Sequence, residues 1–243
     1  MKYMSKKDNS PQVHQDEKFK DKLFIRELNW TDKQKQFIDL ASNKETKILF
    51  IKGPAGSSKT LLSIYCALKL LNEKKISDIL LLRSAVESAD KSIGFLPGTI
   101  EEKLHFYSLP FLDKLEELLN KNDIARLQKE KRISTFPVNF LRGMSWNAKC
   151  IIMDETQNST IKEIITALTR IGQFSKCFVL ADPSQTDLTN GKRGAFENIF
   201  NMFQDQESKD FGIRTFTFDE EDIMRSEIVK FLVKRFQKVV INH

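Results

Sequence analysis

Short, nearly uninterrupted apolar runs alternate along this chain with longer stretches in which apolar residues recur every three or four positions. The short runs are KILFIKG (47–53), DILLLR (78–83), KCIIMD (149–154), KCFVLAD (176–182) and IRTFTF (213–218). Their β-branched and aromatic content predicts strands, and their continuous apolarity suits parallel strands covered on both faces. Between them the spacing predicts helices. TDKQKQFIDLAS opens with a Thr31-Asp32 start signal, and TLLSIYCALKLLNEK follows a glycine-rich loop. Residues 99–130 read as two or three helices broken at Pro110 and Asn122, and NSTIKEIITALTRIG runs from cap-type residues to Gly172. The terminal run DEEDIMRSEIVKFLVKRFQKVV is amphipathic, with acids leading and bases trailing as a helix dipole favours. Strand followed by helix, repeated, predicts an α/β three-layer domain with a mainly parallel sheet. Residues 1–27 are expected to form a flexible polar tail, because the lysine-rich stretch 1–22 has almost no aliphatic side chains to bury. Residues 28–243 then form a single domain, with no internal repeat and no second boundary.

Composition narrows the class without choosing a function. The 243 residues are 40% hydrophobic and 30% charged, a balance that supplies a real core. A net charge of +6 permits a polyanionic partner without demanding one. Cys66, Cys150 and Cys177 each lie inside an apolar run and form no C-x-x-C pair. They read as buried thiols of a reducing compartment. Three histidines argue against a histidine-rich metal site. No apolar stretch has the length of a membrane helix and no signal-peptide core opens the chain, so a cytoplasmic location is expected.

Candidate chemistry sits at the strand ends. Residues 53–60 read GPAGSSKT, directly after one predicted strand and before a predicted helix. Backbone N–H groups in such a loop, together with the helix N-terminus, form an anion cradle. Gly53, Pro54, Ala55, Gly56, Ser57 and Ser58 supply the loop; Lys59 reaches the β- and γ-phosphates and Thr60 offers a hydroxyl to Mg²⁺, as in a Walker A motif. Ser58 stands where the strict pattern has glycine, and an ordinary turn rich in small residues is the competing explanation. The strand KCIIMD ends in Asp154 and Glu155. These suit a Walker B pair, with Asp154 holding Mg²⁺ through water and Glu155 orienting or deprotonating the attacking water. The strand VLAD runs into PSQTDL, where Gln185 can sense a γ-phosphate or the lytic water. The Asp182-Pro183-Ser184 sequence also explains itself as a turn. Three such strand ends in this order predict a P-loop nucleoside triphosphatase using ATP and Mg²⁺.

The same residues resemble the PhoH-like proteins, ATPases related to the core of superfamily 1 helicases. GPAGSSKT is similar to that family's GPAGTGKT-type loop, MDETQN to its DEAQN-type motif and ADPSQTDL to its GDPSQIDL-type motif. RSAVESADKSIGFLPGTIEEKLHFYSLPFLDKL, FLRGMSW, LTRIG and DEEDIMRSEIV also fall in family order, so the resemblance covers roughly residues 29–237. It implies a RecA-like fold with one lobe, where a helicase motor has two. It places Gln34 against adenine, against the alternative of a solvated helix glutamine. It makes Arg225 a candidate finger on the γ-phosphate, with Arg83, Arg142 and Arg170 as further basic candidates, any of which can instead be structural. It implies a homo-oligomeric ring such as a hexamer, and RNA or single-stranded DNA as polymer partner. Ser58, Thr156, Ala181 and Ser226 depart from the family pattern, and residues 1–46 are too short for the nuclease domain some members carry. Two other functions fit the same residues: a nucleotide-dependent assembly module with negligible turnover, and a nucleic-acid-binding protein active only in complex.

Overall fold

The structure is a computed structural model that describes residues 22–83, 100–138, 145–186 and 195–224, and residues 227, 228, 231, 232 and 235 of the C-terminal segment. Arg225, Arg142 and Asp187, along with Glu87 and Ser226, lie outside the described residues. Helices and strands follow the predicted alternation. α1 (Asp32–Ser42), β1 (Ile48–Lys52), α2 (Lys59–Asn72) and β2 (Asp78–Arg83) lead into α3 (Ile100–Leu118) and α4 (Lys121–Lys129). Then come β3 (Ile133–Pro137), β4 (Lys149–Asp154), α5 (Ile161–Leu168), β5 (Lys176–Ala181), α6 (Ala195–Met202), α7 (Gln206–Asp210) and β6 (Ile213–Thr217).

These strands form one six-stranded sheet in the order β3-β2-β4-β5-β1-β6, and every neighbouring pair is parallel. All carboxyl ends therefore open on one edge, where α/β sheets bind ligands. Strand β5 is inserted between β1, which feeds the glycine-rich loop, and β4, which carries the acidic pair. The registers Lys52↔Ala181 and Met153↔Val179 bring the three ends level. This is the three-layer, mainly parallel RecA-like arrangement that the alternation and the resemblance led us to expect.

Period-two alternation in each central strand feeds two separate cores. Leu49 and Ile51 of β1, Ile152 of β4 and Leu180 of β5 face α1, α2 and α3, where Phe37, Leu62 and Phe111 meet them. Phe50, Met153 and Val179 point the other way, against Ile164 of α5 and Phe196 and Phe200 of α6. Each fully buried side chain of this size contributes about 1.5–3 kcal/mol relative to exposure. All three cysteines are buried and free, as expected. Lys176 is also buried, and its ammonium donates to the carbonyls of Ala41 (2.7 Å) and Asn43 (2.5 Å). It thereby caps the C-terminus of α1 and ties it to the start of β5, while burial pulls its pKa down to about 8.

Several expectations need correction. β3 was not predicted: ISTFP is half-buried and polar because it is the sheet's edge strand, so the apolar signal is weak. Helix α3 runs through Pro110 instead of breaking there. Proline removes one backbone hydrogen bond, and Phe111, Leu115 and Leu118, all buried, hold the following turns in place. The break comes two residues before Asn122, where the Asn120 side chain accepts from the Asp123 N–H to cap α4. Helices α6 and α7 were likewise missed. The expected tail reaches too far, because Leu23 is buried and exchanges backbone hydrogen bonds of 2.9 Å with the Asn72 amide. Arg26 N–H donates to the Leu118 carbonyl, so residues 23–27 pack onto α2 and α3.

Candidate nucleotide site

The glycine-rich loop is shaped by its neighbours before any ligand is considered. A Cβ on Gly53 would sit 2.7 Å from Phe218 Cβ and 3.1 Å from the Phe218 carbonyl, so the residue directly after β6 leaves no room for a side chain there. Gly56 has φ 84°, a left-handed conformation, and its carbonyl accepts from Met224 N–H at 3.0 Å. Ser57 is buried and its hydroxyl donates to the Pro54 carbonyl at 2.8 Å. Ser58 takes the left-handed conformation (φ 62°, ψ 16°) at the N-cap of α2, and its side chain makes no capping bond. No side-chain hydrogen bond at the cap therefore offsets the strain of that conformation.

Lys59 folds back on the loop, with Nζ donating to the carbonyls of Gly53 (2.7 Å) and Pro54 (2.9 Å) and lying 3.5 Å from Ser57 Oγ. Burial pulls its pKa below the usual lysine value, and the carboxylates Asp182, Asp154 and Glu155 oppose that pull. The Thr60 hydroxyl donates to the Asp154 carboxylate, 3.3 and 3.2 Å from its two oxygens. That contact joins the start of α2 to the end of β4, ninety-four residues apart in sequence. Asp154 is buried, and desolvation followed by the charge of Glu155 pushes its pKa up to about 6; Arg83 and hydrogen bonds from Glu155 N–H and Thr60 resist the rise.

Glu155 itself is left-handed (φ 55°, ψ 35°), so the chain turns sharply and the side chain faces the cleft. One carboxylate oxygen accepts from Gln157 Nε2 at 2.6 Å and the other lies 3.8 Å from the Arg83 guanidinium. Gln157 was not singled out from sequence, yet it joins two motifs. Its Oε1 accepts from Asp182 N–H at 3.0 Å and its Nε2 lies 3.5 Å from the Gln185 carbonyl. A glutamine two residues after the acidic pair was the available signal; its partners on the next strand end were not readable from one chain. Gln185 is exposed at the end of a short 3₁₀ turn, Pro183–Gln185, and borders the cleft.

At the other end of the cleft, Gln34 is buried instead of solvated. Its Oε1 accepts from Thr31 N–H (3.0 Å) while Thr31 Oγ1 accepts from Gln34 N–H (3.2 Å), a reciprocal box that caps α1. Trp30 lies beside it, its ring centroid 4.9 Å from that of Tyr65, whose hydroxyl donates to Glu27 at 2.7 Å. The cleft encloses about 530 Å³, with Trp30 and Gln34 at one end and Lys59, Asp154, Glu155 and Gln185 at the other. Pro54 and Ser57 contribute backbone and packing behind the loop, while Ala55, Gly56, Ser58, Thr60 and Arg83 border the cleft. Arg170 is elsewhere: it donates to the Thr166 carbonyl at the end of α5 and does not border the cleft. The arrangement offers a basic loop for an anion, a hydroxyl–carboxylate pair of hard oxygens, and an apolar, amide-bearing end for a flat ring.

Comparison with known proteins identifies the family. The family described as PhoH-like protein matches residues 28–237. A PhoH-like protein of Bacillus subtilis is 32% identical over 205 residues, 84% of this chain and 62% of its own length. One from Mycobacterium bovis is 34% identical over 84% of this chain and 56% of its own length. The chain thus spans somewhat over half the length of these relatives. Among solved structures, the Pif1 helicase from Candida albicans has a TM-score of 0.40 at 13% identity, covering 79% of this chain and 40% of that one, a likeness too loose to add to the argument. With the family matched over residues 28–237, the chain belongs to the PhoH-like protein family.

Proposed function

We propose that the protein binds ATP with Mg²⁺ in this cleft and hydrolyses it to ADP and phosphate. The observation that carries the proposal is the Thr60 hydroxyl on the buried Asp154 carboxylate, a pair of hard oxygens held at the mouth of an anion-binding loop. Such a pair fits Mg²⁺, which prefers oxygen ligands and keeps several waters, and the raised pKa of Asp154 marks a desolvated carboxylate that a cation would stabilise. When bound, the ion neutralises charge on the phosphate oxygens.

The chain's own residues then divide the work. Lys59 exchanges the Gly53 and Pro54 carbonyls for phosphate oxygens, a stronger, charge-assisted partner. Loop amides and the N-terminus of α2 cradle the same anion. Glu155 takes a proton from water as its oxygen bonds to the γ-phosphorus and the bond to the β-phosphate oxygen breaks, with Gln185 within reach of that region. Gln34 and Trp30 receive the adenine. An arginine of a neighbouring subunit, with Arg225 as candidate, completes the charge on the γ-phosphate in a homo-oligomer such as a hexameric ring, as fingers supplied in trans do elsewhere. RNA or single-stranded DNA is the polymer that turnover serves.

Two substitutions test the assignment. Lys59→Ala is expected to remove ATP binding or hydrolysis with the far-UV spectrum unchanged. Glu155→Gln keeps the nucleotide and slows hydrolysis by about 10²–10⁴-fold, the scale of a lost general base. Parental turnover in Lys59→Ala refutes the site. Nucleotide binding without turnover, with or without RNA present, would favour the assembly-module function instead.

A further inference from the structure

Helix α3 buries one stripe of side chains and turns the neighbouring stripe to the cleft. Phe111, Leu115 and Leu118 lie in the core, and Pro110, Lys114 and Glu117, each one position earlier, border the cleft. Residues three and four apart share a helix face, so the core stripe fixes where Glu117 stands. The strap before α1 is fastened beside it. Arg26 N–H donates to the Leu118 carbonyl at 2.8 Å, and the Arg26 guanidinium donates to the Glu116 and Glu117 carbonyls at 3.1 and 3.4 Å. Glu27 then accepts from Tyr65 of α2 at 2.7 Å. The strap thus runs on from Glu117 to Leu28, Asn29 and Trp30, which border the cleft at the end opposite Lys59.

Side-chain acceptors are scarce at that end. Leu28, Leu61 and Pro110 are apolar, and Trp30 and Lys114 only donate. Gln34 has given its Oε1 to Thr31 N–H (3.0 Å), which leaves its Nε2 to donate. The Asn29 amide carries one group of each kind and turns to suit either partner. Glu117, as a carboxylate, is the acceptor-only group among these side chains. Its Oε1 accepts from the Lys114 ammonium, which also lies 2.9 Å from Asp113 and holds the carboxylate in place. No donor among the described residues reaches Oε2, and the side chain is 42% exposed, so that oxygen is open to a ligand.

We propose that Glu117 is a specificity-determining residue whose Oε2 accepts a hydrogen bond from the exocyclic amine of adenine and turns guanine away. The two purines share the N7 acceptor and differ at position 6, a donor amine in adenine and an acceptor oxygen in guanine. Gln34, left with its donors, suits a ring nitrogen of either base. A carboxylate attracts the amine and repels the oxygen, so it rejects guanine as well as binding adenine. The assignment rests on the nucleotide-binding reading above. A surface ion pair with Lys114 is the competing role, and it draws no distinction between bases.

Calorimetric affinities for non-hydrolysable analogues of ATP, GTP and dATP separate the two roles without relying on turnover. The parent should favour the ATP analogue over that of GTP by about 10- to 100-fold, the scale of a hydrogen bond to a charged group. It should treat ATP and dATP nearly alike. In Glu117→Gln the amide turns its N–H toward the guanine oxygen, so GTP affinity should rise about tenfold while ATP affinity stays within about threefold. Glu117→Ala should bring the two together by weakening ATP instead. Both variants should melt within a few degrees of the parent, since an exposed ion pair contributes little. A parent that binds both bases equally overturns the assignment and leaves nucleotide binding in place. An ATP-over-GTP preference unchanged in both variants overturns it too. A parent preference for ATP over dATP that the variants lose puts Glu117 on the ribose and overturns it as well. A parent that binds no nucleotide removes both readings.

Discussion

Asp154 carries its charge at a cost that depends on pH. Its folded pKa of about 6 lies above the ordinary value of 3.8, so the folded state holds the proton more tightly. The stability this provides is fully present below pH 3.8 and is lost as pH rises through about 6. At pH 7.5 the nucleotide-free protein therefore keeps a desolvated carboxylate at a penalty of about 3 kcal/mol, the free-energy equivalent of that rise in pKa. Asp154→Asn is neutral throughout. It should be more stable than the parent at pH 7.5, by about half as much at pH 5, and close to it below pH 3.8, as read by urea denaturation without nucleotide. A stability difference that does not change with pH would show that Asp154 is not desolvated. At this scale the sequence was informative where chemistry is local. Lys59, Thr60, Asp154 and Glu155 were identifiable because loop and strand-end motifs specify residue types at fixed spacing. Gln157 was not, since its meaning depends on contacts between β4 and β5 ends.

At the scale of elements, the turn from β1 into α2 shows how a strict motif tolerates an exception. Ser58 is left-handed without a capping bond, a conformation that costs a non-glycine residue about 1–2 kcal/mol. Ser58→Gly relieves that strain, though glycine also gains unfolded-state freedom. The expected result is a rise in melting temperature of about 2–4 °C, the shift for ~1 kcal/mol in a domain of this size, with ATP-analogue affinity equal or tighter. Calorimetry on both proteins measures the two effects together; weaker binding in the glycine variant would mean the serine side chain contacts the nucleotide. Elements with strong periodic signals, the central strands and α1, α2 and α5, were legible because both of their faces or one clear stripe are buried. The edge strand β3 and the five-residue α7 were not, because half-buried elements need few apolar positions, and α6, though its apolar stripe is buried, is only eight residues long.

For the molecule as a whole, the net charge of +6 permits a polyanionic partner. If RNA or single-stranded DNA binds in the ATP-bound state, log affinity should fall linearly with log salt, by about 0.7 per phosphate contact. Fluorescence anisotropy of a labelled oligonucleotide from about 50 to about 200 mM salt measures it, and a flat response would remove phosphate contacts from the account. No described helix is long and apolar enough to cross a membrane. The sequence by itself determined the alternation of buried strands and amphipathic helices, the parallel α/β class, and the residue types at each strand end. Those follow from burial periodicity and local chemistry, which nearest neighbours along the chain set. Tertiary structure alone decided that β5 lies between β1 and β4, that Phe218 excludes a side chain at Gly53, and that Gln157 joins Glu155 to Asp182. Each of those joins residues distant in sequence through strand order, and strand order is a property of how the whole sheet packs.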